Sequence, residues 1–213
     1  MATSEQQTPA TLETFDEKVA LGPKVGDLWS VVTGAALIGA VFTGIQIVEK
    51  ITILKNPEAN LVCDLNTKVS CSTVLDAWQS SVLGPPNSLV GAVMFSVFFS
   101  GGLASFLGSR HSRSYVATMW GLAVFFLAFA SWFMFETAFS IRSLCPWCVA
   151  ITTAVVVICV ALTRVAAAER AFGDTRLGRL VDRAVASRFD LAFWGAWWLV
   201  IAAFLADRPD LTG

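Results

Sequence analysis

Charged side chains are scarce here, at 15% of 213 residues, where an ordinary soluble domain carries about 25%. That shortage excludes a solvated globular surface. A mean hydropathy of +0.66 with 55% hydrophobic residues points instead to a membrane protein. A net charge of -1 with no basic face gives nucleic acid nothing to bind. The single histidine, His111, leaves little for an imidazole metal site. The start lacks a short basic region leading into an apolar core, so no cleaved signal peptide is expected and the first apolar span serves as an anchor. No span holds a charge that would mark an ion path, which argues against a transporter.

What charge there is punctuates the chain. Between Asp27 and Glu49 lie 21 uncharged residues, and a second span runs from about Ser88 to Leu107. A third fills the gap between Arg113 and Glu136, and a fourth the gap between Arg142 and Arg164. About 20 residues cross a hydrocarbon core as helix, so four transmembrane helices are expected. A fifth, Leu191 to Ala206, has only 16 uncharged residues. Trp194, Trp197 and Trp198 would anchor it near an interface, and a helix lying on the surface is its alternative. The organisation read from this is a disordered cytoplasmic tail over 1–27 and a bundle over 28–164 with an external loop at 49–87. A basic connection over 165–190 and a fifth helix with a short tail over 191–213 complete the chain.

Lysine and arginine placement sets the orientation. Arg164, Arg170, Arg176, Arg179, Arg183 and Arg188 crowd the connection after the fourth span, and Arg110 and Arg113 the turn after the second. Both connections belong in the cytoplasm, with the amino terminus. The loop at 49–87 and the head of the fourth span then face outside the cell membrane, where disulfides persist.

All the motif cysteines fall on that outer side. Cys145-Pro146-Trp147-Cys148 opens the fourth span, and the two cysteines share a helix face. A first-turn cysteine sees unpaired backbone N–H groups and the positive end of the helix dipole, which favour thiolate. Pro146 suits that turn, where its missing N–H would have had no partner. Redox chemistry, a structural disulfide and half a zinc site compete as readings. Zinc is disfavoured because Cys63 and Cys71, eight positions apart in a loop, make poor tetrahedral partners. Cys63 and Cys71 flank a polar, turn-rich stretch, where a static bridge is the alternative to exchange. After Cys71, residues 72–78 fit a short helix capped by Ser70 or Ser72. With Val74, Leu75 and Trp78 inward, it would lie across the bundle mouth and carry Cys71 towards Cys145. Cys159, deep in the fourth span, reads as inert packing.

The pairs together describe a thiol-disulfide relay, one pair facing a membrane-soluble electron carrier and the other facing water. Asn87, after Pro85-Pro86, is a helix cap or a hydrogen-bond donor to a quinone carbonyl. Thr152 lies four residues after Cys148 on the same face, and either bonds back to its own helix or offers a hydroxyl inside the bundle. Glu49 and Glu136 are explained by interfacial solvation, Phe125 to Phe135 by lipid or core contact, and Gly34, Gly39 and Gly44 by close helix approach.

With these motifs assembled, the chain resembles bacterial homologues of vitamin K epoxide reductase over roughly residues 28–164. The resemblance rests on Cys63 and Cys71 with seven residues between them and on Cys71-Ser72-Thr73-Val74. It also rests on Pro86-Asn87-Ser88-Leu89-Val90-Gly91 and on Cys145-Pro146-Trp147-Cys148. It implies an all-α integral membrane fold, a four-helix bundle around a quinone pocket capped by the loop, with a fifth helix as in some homologues. It further implies that Cys148 reacts with a menaquinone, ubiquinone or vitamin K type quinone, that Asn87 binds the quinone, and that Cys145 exchanges with Cys71. Cys63 would exchange with a separate extracytoplasmic thioredoxin-like protein, since no such domain follows residue 164. Ala77 stands where the family usually has a serine, and Thr152 where vertebrate enzymes carry a tyrosine. Disulfide formation in secreted proteins is the expected function. A quinone or quinone-epoxide reductase that consumes thiols, and a disulfide-braced membrane scaffold without activity, are the alternatives.

Overall fold

The computed structural model describes residues 24–66 and 68–206. The tail expected over 1–27 lies outside the described residues as far as residue 23, and so do 207–213. Val25 to Asp27 already belong to the first helix, because no turn residue separates them from the apolar run.

Four helices are long and apolar enough to cross a membrane: α1 (Val25–Lys55), α3 (Asn87–Phe106), α4 (Arg113–Glu136, continued by a π turn at Thr137–Ile141) and α5 (Pro146–Ala168). In lipid only a helix or a closed barrel satisfies its own backbone, so uninterrupted apolar runs fold this way. Their ends follow local chemistry. Ser112 accepts from the Tyr115 N–H to cap α4, Pro146 opens α5, and Gly108, at a φ of 92°, ends the α3 segment in a left-handed turn. α1 packs mainly on α3 and α5, and α4 on α5. α5 is the most enclosed, with Val155, Ile158, Leu162 and Val165 sealed from solvent.

Between lipid-embedded helices, close packing supplies much of the attraction. At Gly39 the Phe95 ring fills the space a Cβ would need, which brings α1 and α3 together. Gly34 and Gly44 have open space above them, so of the three expected contact glycines only Gly39 serves.

Beyond the bundle, α6 (Arg176–Ala186) is capped by Thr175, and α7 (Phe189–Ala206) follows. At 18 residues α7 is the shorter apolar helix that the sequence announced. It is docked along α5 instead of lying apart on a surface. Arg164 pairs with buried Asp190 at 2.6 Å, Trp194 donates to Thr163 at 3.2 Å and Trp198 to Thr153 at 3.0 Å. As residue numbers rise on α7 they fall on α5, so the two run antiparallel.

At the other end, the first connection departs from expectation. α1 continues six residues past Glu49, to Lys55, so the loop expected from residue 49 starts after Lys55. Ile51, Thr52, Ile53 and Leu54 carry the helix on, and Glu49 is buried inside the bundle instead of solvated at an interface. The loop then enters α2 (Cys71–Asp76), a 3-10 turn (Trp78–Ser81) and α3. Ser70 is the cap of α2, accepting from the Thr73 N–H at 3.2 Å. Val74 and Leu75 are buried as expected, but Trp78 is 70% exposed. The extended backbone at Ala77 breaks the helix and turns Trp78 off the apolar face.

Candidate active site

Cys63 and Cys71 form a disulfide with 5.7 Å between their Cα atoms, while Cys145 and Cys148 are free thiols. Cys145 is the N-cap residue of α5, and Cys148, in its first turn, donates its backbone N–H to the Cys145 carbonyl at 3.0 Å. Cys71 starts α2. The short α2 and the long α5 therefore present one cysteine each at their amino ends, and the Cys71 and Cys145 sulfurs lie 3.4 Å apart. Because Cys71 is already bonded to Cys63, the Cys145 thiol is the donor in that contact.

Backbone pairing holds this register. Leu144 N–H donates to the Lys68 carbonyl at 2.8 Å, Ser70 N–H donates to the Leu144 carbonyl at 3.1 Å, and the Ser143 hydroxyl reaches the Ser70 carbonyl at 3.2 Å. Asp64 ties the loop to itself, accepting from Leu61 N–H, Ser72 N–H and the Ser70 hydroxyl at 3.0, 3.0 and 2.8 Å. Partial burial pushes its carboxyl up, but the Ser72 and Leu61 N–H groups and the two serine hydroxyls outweigh that and hold it below the ordinary carboxylate range.

All four cysteines are buried, Cys63 at 4% exposure and Cys71 and Cys145 at none. Cys159 is sealed in the packed core among apolar side chains, as expected.

Two residues of α1 surround the sulfurs: Gln46, which drew no attention in the sequence, and Glu49, which was read there as solvated at an interface. Gln46 Nε2 donates to Cys148 Sγ at 3.0 Å and reaches Cys145 Sγ at 3.6 Å. One turn on, Glu49 Oε1 accepts from the Trp147 indole N–H at 3.2 Å and lies 3.4 Å from Cys63 Sγ. Thr43, Gln46 and Glu49 repeat every third residue along one buried face of α1. That periodic polar stripe inside an apolar span was the signal available in the sequence. The carboxyl of Glu49 and the sulfurs of Cys63 and Cys71 lie within 4.8 Å of one another, but the two sulfurs are spent in their mutual bond and offer no thiolate to a metal.

Cys148 opens on a narrow cleft with an enclosed volume of about 60 Å³. Phe126, Phe129 and Phe133 give it aromatic walls, and Asn87, Ser88 and Thr152 give it polar groups. Asn87 and Thr152 both line this cleft with Cys148; Asn87 caps no helix, while Thr152 takes the back-bonded alternative of its two readings. Asn87 Nδ2 donates to the Gln79 carbonyl at 2.7 Å, which leaves its Oδ1 buried with no partner. Thr152 bonds back to the Cys148 carbonyl at 2.9 Å. Ser88, unnoticed in the sequence, also has a buried hydroxyl oxygen without a partner. Buried polar atoms are normally satisfied, so two orphans on one cleft wall mark a place for a ligand's polar groups.

A helical membrane bundle with two cysteine pairs in sulfur contact defines a membrane redox protein that works through cysteines. The family model described as the vitamin K epoxide reductase family matches residues 30–163, and the chain belongs to that family. It is accordingly an oxidoreductase of a multi-pass membrane class. No curated protein matches it.

Proposed function

We propose that the protein is a quinone-dependent thiol-disulfide oxidoreductase that re-oxidises an extracytoplasmic thioredoxin-like protein and so supports disulfide formation in secreted proteins. The observation that carries this reading is the 3.4 Å contact between Cys71 and Cys145, which joins the two pairs into one route. The charge distribution supports a cell-membrane orientation with the amino terminus cytoplasmic and the cysteines outside.

In the proposed sequence a partner thiolate attacks Cys63, and the electron pair of the Cys63–Cys71 bond leaves on Cys71. The partner's second thiolate then attacks the mixed disulfide, and the partner leaves oxidised. Cys71 thiolate attacks Cys145 of an inner Cys145–Cys148 disulfide, and Cys148 departs as thiolate. A bound quinone supplies the two-electron acceptor. Gln46 Nε2 stabilises charge on Cys148 by a hydrogen bond, and the amino end of α5 adds to it. The flat aromatic walls and the orphaned oxygens of Asn87 and Ser88 fit a planar ring bearing oxygens at its edge. The Asn87 Oδ1 accepts, so it suits the hydroxyl of a reduced ring, while the second hydrogen on Nδ2 is left for a carbonyl. Direction follows potential, with ~30 mV worth about 1.4 kcal/mol for two electrons.

The family's name raises epoxide reduction as the other activity. Thr152 gives its proton to the Cys148 carbonyl, so this position offers none to an epoxide oxygen. Turnover by the purified protein in nanodiscs with a reduced thioredoxin-like protein and a soluble quinone is the test, against the same assay with a quinone epoxide. The proposal expects partner oxidation coupled one to one with quinone reduction. Robust epoxide turnover with no partner oxidation would reverse it.

A further inference from the structure

Glu49 has no part in the relay just described, yet it is 7% exposed and both of its carboxyl oxygens face Cys63 Sγ, at 3.4 and 3.6 Å. The disulfide sulfur carries no hydrogen, so a proton between the two would turn the contact into an O–H···S bond. Trp147 N–H occupies Oε1, which leaves Oε2 to carry that proton. The groups facing Glu49 are the Trp147 indole and Cys148 thiol from α5 and the Asp64 carboxyl from the loop. On its own helix, Lys50 is held by the Leu75 carbonyl. Among the described residues no lysine or arginine pairs with Glu49.

We propose that Glu49 is a catalytic proton carrier for the outer cysteine pair, giving a proton to Cys63 when a mixed disulfide on that sulfur is cleaved and taking it back when the Cys63–Cys71 bond re-forms. The step deepens the relay reading and rests on it for its place in turnover. When the partner's second thiolate attacks the mixed disulfide, a partner disulfide forms, the bond to Cys63 breaks, and the departing Cys63 thiolate takes the proton from Glu49. When Cys63 later attacks Cys71 in the Cys71–Cys145 bond, its proton returns to Glu49 and the electron pair leaves on Cys145. Both transfers occur at a buried sulfur, where a contacting carboxyl removes the need for an entering water.

The test reads the outer disulfide alone. Full-length protein in nanodiscs is treated with dithiothreitol across a pH series, and full opening of Cys63–Cys71, through the mixed disulfide to the free Cys63 thiol, is followed by alkylation and mass spectrometry. Glu49→Gln keeps an acceptor for Trp147 and loses the proton; Glu49→Asp keeps the proton on a shorter arm. The expected result is an opening rate lower by roughly a hundredfold in the Gln variant. The Gln variant should also lose the pH inflection of the wild type, and the Asp variant should retain it. A Gln variant with wild-type rate and pH profile overturns the proposal. So does equal slowing in both variants with the inflection kept, which would assign Glu49 to holding Trp147. No quinone or partner enters this measurement, so its failure is separate from failure of the relay, which the Cys148→Ala turnover decides.

Discussion

The two cysteine pairs sit in contact, but they are built on unlike supports. The inner pair belongs to one helix start, where Pro146, the backbone N–H groups and Gln46 prepare both sulfurs within a single turn. The outer pair spans a loop whose shape depends on Asp64, Ser70 and Ser143, and its sulfurs are brought inward by docking on Leu144 and by packing with Ile53, Val74 and Leu75. The difference suits rigidity at the pair beside the cleft and, in the relay proposed above, movement at the pair that would reach a partner.

The strongest break comes at the inner pair. Cys148→Ala should bring turnover to background, a loss of about a thousandfold or more. It should also leave a Cys71–Cys145 adduct visible on a non-reducing gel. A Cys63–Cys145 adduct instead would overturn the order of exchange. Next is Gln46→Leu, which removes the donor to a sulfur that carries charge. Such a hydrogen bond is worth about 1.5–3 kcal/mol, so quinone reduction should slow roughly 10- to 100-fold while dithiothreitol opens the outer disulfide at its normal rate.

The outer pair is sharpened by acid. Asp64 has a lowered folded pKa, so its support for the loop is complete above its ordinary value near 3.8. That support is lost as pH falls further, through the folded value. Hydrogen exchange should therefore show the loop loosening below about pH 4, before α5 does. Asp64→Asn should show the same loosening at neutral pH, by on the order of 1 kcal/mol of local stability. The smallest effect on turnover is expected far from both pairs. Gly39→Ala has to displace the Phe95 ring, and overpacking of this kind typically costs about 1–3 kcal/mol. Melting temperature should fall, with turnover per folded molecule unchanged.

Much of this was legible in the sequence because lipid makes the rules strict. Runs of about 20 uncharged residues have to be helices, and Cys145 and Cys148 declare themselves by spacing and by Pro146. The same strictness misled at Glu49. Charge was used as a boundary marker, but a carboxyl with an indole donor sits within the bundle, and α1 runs on to Lys55. Gln46 and Ser88 went unseen because an uncharged polar residue barely disturbs hydropathy, and its importance depends on which neighbour the fold brings. Trp78 was misplaced for a backbone reason, the break at Ala77, which no side-chain pattern forecasts.

The parallel bridge between Val69 and Leu144 ties the loop segment before α2 to the residue just ahead of Cys145. Any tug on this segment by a docking protein is therefore delivered mechanically to the head of α5. In the relay proposed above, engagement of a partner and readiness beside the cleft would become coupled motions, and an encounter that failed to grip the loop would leave the buried thiols shielded from stray oxidants.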